Sequence, residues 1–198
     1  MPQSTPPNPI APRILSIGTL LVFSLLGCSS EEAADACYGA KCVDTVGSCA
    51  PEKQLYINEL VAKNKKGLRD ESGKYADWLE IYNASDQAVD LAGKYLSDDV
   101  DIPTQSKILS TDSKATTIDA GGYLVLWADK DEEDGILHLN FKLSGDGDSV
   151  FLYESDGITL IDSVEFGAQK NDISFGRATD GCEAWTLFDT PTPGSANK

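Results

Sequence analysis

Val150-Phe151-Leu152-Tyr153-Glu154-Ser155-Asp156-Gly157-Ile158-Thr159-Leu160-Ile161 decides the fold class of this chain. Two apolar runs, 150–153 and 158–161, flank Ser155-Asp156-Gly157. Glycine accepts the positive φ that a tight hairpin turn needs, so the stretch predicts two antiparallel strands. Similar runs recur on both sides. Leu55-Tyr56-Ile57-Asn58-Glu59-Leu60-Val61 and Trp78-Leu79-Glu80-Ile81-Tyr82 carry the aromatic and branched residues that suit a half-buried pleat. Gly121-Gly122 opens Tyr123–Trp127, a nearly continuous apolar run expected to be a central strand. Segments 139–143, 163–166 and 184–188 complete the set. Residues 139–143 alternate with period 2, and no long amphipathic helix intervenes. Many short strands with regular turns imply an all-β sandwich.

The amino end reads differently. Arg13 precedes the apolar run Ile14 to Leu26, too short to span a bilayer comfortably but suited to a signal peptide. It ends in Leu25-Leu26-Gly27-Cys28, which resembles the bacterial lipobox. That resemblance implies cleavage after residue 27 and acyl chains on Cys28, which would hold the chain on a membrane. Ser29 rather than Asp at the next position implies the outer membrane of a bacterial envelope. The expected organisation is a signal peptide over 1–27, a lipidated tether over 28–53 and one domain over 54–198.

The tether carries Cys37, Cys42 and Cys49, and the domain carries Cys182. With Cys28 lipidated, four cysteines in an oxidising compartment imply two disulfides, and three pairings are open. At least one tether cysteine should reach Cys182. The spacing lacks the paired C-x₂-C knuckles of a zinc site.

The formal charge is −16, with 16 Lys+Arg against 32 Asp+Glu. Such a surface excludes nucleic acid as a partner, because phosphate affinity rests on Lys and Arg releasing counterions. It is compatible with divalent cations and basic partners. Calcium takes roughly six to eight oxygen ligands, so Asp98, Asp99 and Asp101 form one candidate cluster. Asp129, Asp131 and Asp134, with Glu132 and Glu133, form the other. The most basic stretch is 63–74, where Lys63, Lys65, Lys66 and Arg69 are candidate binding residues. The 98–117 loop is a second candidate contact surface.

Catalysis finds little support. His138 is the only histidine. A Cys182–His138 nucleophile pair would lose its thiol to disulfide bonding. No metalloprotease, hydrolase-elbow or phosphate-loop motif is present. Trp78, Trp127 and Trp185 read as packing residues, and Arg177 as one half of an ion pair with a carboxylate such as Asp77 or Glu80. Asn83-Ala84-Ser85 reads as a turn rather than a glycosylation site.

Taken in order, several segments resemble the lamin tail domain, an immunoglobulin-like sandwich. They are Ile57-Asn58-Glu59-Leu60, Asp77-Trp78-Leu79-Glu80-Ile81-Tyr82-Asn83, Ala120-Gly121-Gly122-Tyr123-Leu124-Val125-Leu126-Trp127, Asn140-Phe141-Lys142-Leu143 and Pro191-Thr192-Pro193-Gly194. The tryptophan expected near Lys107 is missing. The resemblance implies no shared catalytic set, and no cofactor is expected besides the calcium considered above. The function expected is a lipid-anchored, non-enzymatic binding or scaffolding module with a protein or glycan partner. A calcium-dependent carbohydrate-binding lipoprotein is the alternative, and a hydrolase with an unrecognised carboxylate pair is a third.

Overall fold

The computed structural model describes residues 49–198. The expected signal peptide, Cys28, Cys37, Cys42 and the tether up to residue 48 lie outside the described residues. Eleven strands, one short α-helix and one 3-10 turn follow in order: β1 (Leu55–Val61), β2 (Trp78–Asn83), β3 (Val89–Asp90), β4 (Tyr95–Ser97), β5 (Ser106–Lys107), α1 (Ser113–Thr116), β6 (Thr117–Ile118), β7 (Tyr123–Trp127), the 3-10 turn (Glu132–Asp134), β8 (Gly147–Tyr153), β9 (Leu160–Gly167), β10 (Ser174–Arg177) and β11 (Trp185–Phe188).

The strands form a five-stranded sheet β11-β10-β1-β2-β7, a four-stranded sheet β5-β4-β8-β9 and a small β3-β6 pair. All pairings between these strands are antiparallel. The two larger sheets pack face to face. Leu55, Ile57, Leu60, Leu79, Ile81 and Leu126 from one meet Leu96, Val150, Leu152, Val164 and Phe166 from the other in a single core. The fold is therefore an immunoglobulin-like all-β sandwich, as the hairpin signature implied.

A β-bulge explains β1. Strict alternation would put Ile57 and Leu60 on opposite faces. The register slips between Ile57 and Glu59, so Asn58 is the extra residue and both apolar side chains enter the core. The slip also turns Glu59 onto the outer face of the sheet, opposite Glu80.

Three expectations need correction. Segment 139–143 is not a ladder strand. Its alternation holds, since Leu139, Phe141 and Leu143 enter the core, but only isolated bridges join His138 to Trp127 and Lys142 to Asp129. The first bridge is parallel and the second antiparallel, so no continuous ladder forms, although Lys130, at φ 60°, still donates its N–H to Phe141 O. Segments 158–161 and 163–166 are not separate strands: residues 160–161 and 163–166 belong to β9, which runs on through buried Asp162, and Ile158 and Thr159 lie in the turn before it. The 98–117 stretch is not a simple loop, because it contains β5 and α1, with Asp112 capping α1 by accepting from the N–H groups of Lys114 and Ala115.

Candidate functional site

At one end of the sandwich, the 63–77 connection between β1 and β2 meets the 128–142 segment after β7. The first is bolted down by Asn64, whose amide donates to the carbonyls of Leu68 and Ala76 while its oxygen accepts from Gly67 N. Asp172, at φ 58°, accepts from the backbone N–H groups of Lys66 and Lys65, which hold its carboxyl below the usual range. The basic stretch is thus an ordered platform. Lys65 and Lys66 project from it exposed. Arg69 is committed locally, donating to Gly73 O and Tyr75 Oη with its guanidinium 4.1 Å from the Tyr75 ring. Lys63 pairs with Asp146 at 3.4 Å.

Between the two segments lies a polar cleft of 380 Å³ lined by Lys65, Lys74, Tyr75, Asp77, Asp129 and Lys142, among others. Beside it stands His138, whose side chain is 2 % exposed. Its Nδ1 lies 2.8 Å from Asp129 Oδ2 and its Nε2 lies 3.2 Å from Glu71 Oε2. Burial disfavours the imidazolium, but the two carboxylates outweigh it and raise the ring's pKa.

The acidic clusters expected to bind calcium differ in geometry. Asp129 and Asp134 converge with His138, their ligand atoms all within 4.8 Å of one another. Asp131 caps locally, donating its N–H to Asp129 Oδ1. Asp98, Asp99 and Asp101 do not gather: Asp98 N donates to Gln105, and Asp99 Oδ1 accepts from Asp101 N.

A second constellation lies under the carboxyl-terminal tail and was not foreseen. Glu59 and Glu80, both fully buried, are covered by residues 191–197. Thr192 N donates to both oxygens of Glu59, at 3.1 and 3.0 Å, and Gly194 N donates to Glu80 Oε2. Asp180 accepts from Tyr123 Oη, Asn58 Nδ2 and Asn197 N. Burial pushes Glu80 up to about 8 and also raises Glu59. Acidic pairs can drive acid–base chemistry, but this one is sealed by the tail. Its role is to hold the tail to the sheet.

Arg177 is a third buried charge. It pairs with Asp162 at 2.9 Å, not with Asp77 or Glu80 as expected, because β10 presents it towards the end of β9. It also donates to the carbonyls of Ile57 and Cys182 and lies between the rings of Tyr56 and Trp185. Trp78 and Trp127 pack in a small apolar cluster, and Trp185 stacks on Phe175. Asn83 is buried, its amide donating to the carbonyls of Gln87, Ile118 and Asp119. Cys182 is bonded to Cys49, with the Cα atoms 5.8 Å apart, so it is no free thiol for His138.

An antiparallel β-sandwich with functional groups on its end loops defines an immunoglobulin-like module. A lamin tail domain profile matches residues 49–168, and the chain belongs to that family. The matched segment stops short of β10 and β11, which complete the five-stranded sheet. No curated protein and no solved structure matches the chain.

Proposed function

We propose that this chain is a non-enzymatic binding or scaffolding module of the bacterial cell envelope, anchored in the outer membrane by acyl chains on Cys28. The observation that carries the reading is the junction of Leu25-Leu26-Gly27-Cys28 with a lamin tail domain. The lipobox-like motif supplies an anchor, and the fold supplies a rigid body with loops at its ends. The non-enzymatic part is supported by the fates of the reactive groups. Cys182 is oxidised and the Glu59–Glu80 pair is sealed.

The surface best suited to a partner is the platform bearing Lys65 and Lys66. Its backbone is fixed while these side chains stay in solvent, and they stand out against an acidic whole. An acidic protein or glycan fits this chemistry. The test is radiolabelled palmitate incorporation and membrane fractionation in a bacterial host, followed by crosslinking and affinity capture. The full chain should take up label and sediment with membranes, and Cys28→Ala should do neither. A dominant captured partner should be lost in Lys65→Glu/Lys66→Glu. Label-free, soluble full-length chain would overturn the anchoring, and capture indifferent to the charge reversal would overturn the surface.

A further inference from the structure

The carboxylates around His138 exceed what an ion pair requires. A lone imidazolium needs one acceptor per ring nitrogen, and Asp129 and Glu71 provide them. Asp134 nonetheless converges on the same point, with its ligand atom within 4.8 Å of those of Asp129 and His138. Asp70, the residue before Glu71, adds a further buried anionic oxygen. It is 6 % exposed, its Oδ2 has no hydrogen-bond partner, and its Oδ1 accepts from the backbone N–H of Lys74. A buried carboxylate oxygen with no donor is costly, and a nearby cation offsets that cost. Lys65 and Lys142 line the adjoining cleft; the cations paired with these carboxylates include the ring itself and Lys74, whose Nζ is 2.5 Å from Asp134 Oδ2 and whose side chain is 59 % exposed. Lys74 can therefore swing into solvent if another cation takes its place.

We propose that Asp129, Asp134 and Nδ1 of His138 bind a divalent transition-metal ion, with Zn²⁺ the best fit. Nδ1 is the nitrogen beside Asp129. The other nitrogen, Nε2, then carries the proton and donates to Glu71, an arrangement in which a carboxylate fixes tautomer and ring orientation for the metal. One imidazole with two carboxylates is a zinc-type donor set, whereas calcium prefers oxygen ligands alone. Tetrahedral bonds of about 2.0–2.2 Å set ligand atoms roughly 3.3–3.6 Å apart, so Asp134 must draw in while the 2.8 Å contact between Nδ1 and Asp129 opens to admit the ion. Asp134 is exposed and supplies that adjustment. Three protein ligands leave a tetrahedral position open for water or for a donor from a partner. The expected calcium at Asp129, Asp131 and Asp134 is thereby replaced by a different ion on a different ligand set. The inference does not depend on how the chain is anchored.

The test uses the untagged full chain in detergent, titrated calorimetrically with ZnCl₂ alone and then with CaCl₂ alone. Zinc should bind one ion per chain and raise the melting temperature. Because His138 is the only imidazole, its ¹⁵N signals need no assignment, and zinc should shift Nδ1 strongly. Asp134→Asn should weaken zinc at least about tenfold, and Glu71→Gln by roughly 10–100-fold. Because Glu71 and Asp134 also hold His138 and Lys74, each variant's melting temperature in EDTA is the reference for its own zinc-induced shift. Absence of binding, binding unaffected by Asp134→Asn, or calcium binding tighter than zinc would each overturn the proposal. So would an unmoved imidazole signal in the zinc-loaded chain.

Discussion

Glu59 and Glu80 face one another across β1 and β2, and neither reaches solvent. Like charges directly opposite on a sheet are destabilising. The tail answers with N–H donors from Thr192 and Gly194, but Glu80 Oε1 has no partner. Glu80 therefore holds its proton up to about pH 8.

The folded chain binds that proton more tightly than the unfolded chain, whose carboxyl has its ordinary value of 4.5. The contribution of Glu80 to stability is thus complete below its ordinary value of 4.5 and is lost as pH rises through about 8. The whole loss is on the order of 5 kcal/mol. Glu80→Gln keeps the shape of the neutral acid and cannot ionise. Its melting temperature should match the wild type near about pH 5 and exceed it near about pH 9. Glu59, raised in the same direction, leaves a shallower slope. Parallel melting curves against pH would show that Glu80 ionises freely.

Arg177 and Asp162 form a buried pair at 2.9 Å, 4 % and 2 % exposed at their side chains. Asp162 also accepts from Ile57 N and from Lys53 Nζ, so removing Arg177 leaves its carboxylate short of charge compensation. Arg177→Met should cost about 3–5 kcal/mol in urea unfolding. A loss below about 1 kcal/mol would place the compensation on Lys53 instead.

The legible part of this fold was the part that repeats. Strands β1, β2, β7 and β8 carry their period or composition in runs of five residues or more. Strands β3, β4, β5 and β6 have two or three residues each, too few for any period to show. Strand β9 reads as two pieces around Asp162, since a charge on an inward position looks like a break; its partner Arg177 is 15 residues away. Glu59 and Glu80 stand among apolar residues of β1 and β2. Nothing local marks them as buried, because the tail that covers them lies over 110 residues further on. The acidic stretch 129–134 was visible as a cluster, but the imidazole that joins it arrives through a bridge to Trp127.

The Cys49–Cys182 bond closes a separation of 133 residues. It ties the segment before β1 to the turn between β10 and β11. In the chain-entropy picture a loop of that size restricts the unfolded chain by about 4–5 kcal/mol. Cys182→Ser should lower stability by that order in oxidising buffer. The wild type should lose the same amount on reduction, and the variant should not respond to reductant at this bond. Equal stability of oxidised and reduced wild type would mean that sandwich packing alone holds residue 49 in place.

Asn197 closes the tail. Its amide donates to the carbonyls of Asn58 and Arg177, at 3.1 and 2.7 Å, and its backbone N–H donates to Asp180. Asn58 is the extra residue of the β1 bulge, so the bulge and the tail depend on one another. Asn197→Ala removes both amide bonds and a third in which its side-chain oxygen accepts from Thr192 Oγ1, and leaves two carbonyls without that donor. Stability should fall by about 1–3 kcal/mol. Hydrogen exchange should distinguish the cause. If the amide clamps the tail, the N–H groups of Thr192 and Gly194 should lose protection in the variant while those of β8 and β9 keep it. Uniform loss across both sheets would instead mean that the tail and the sandwich unfold as one unit, with the Glu59–Glu80 cover as the tail's main attachment.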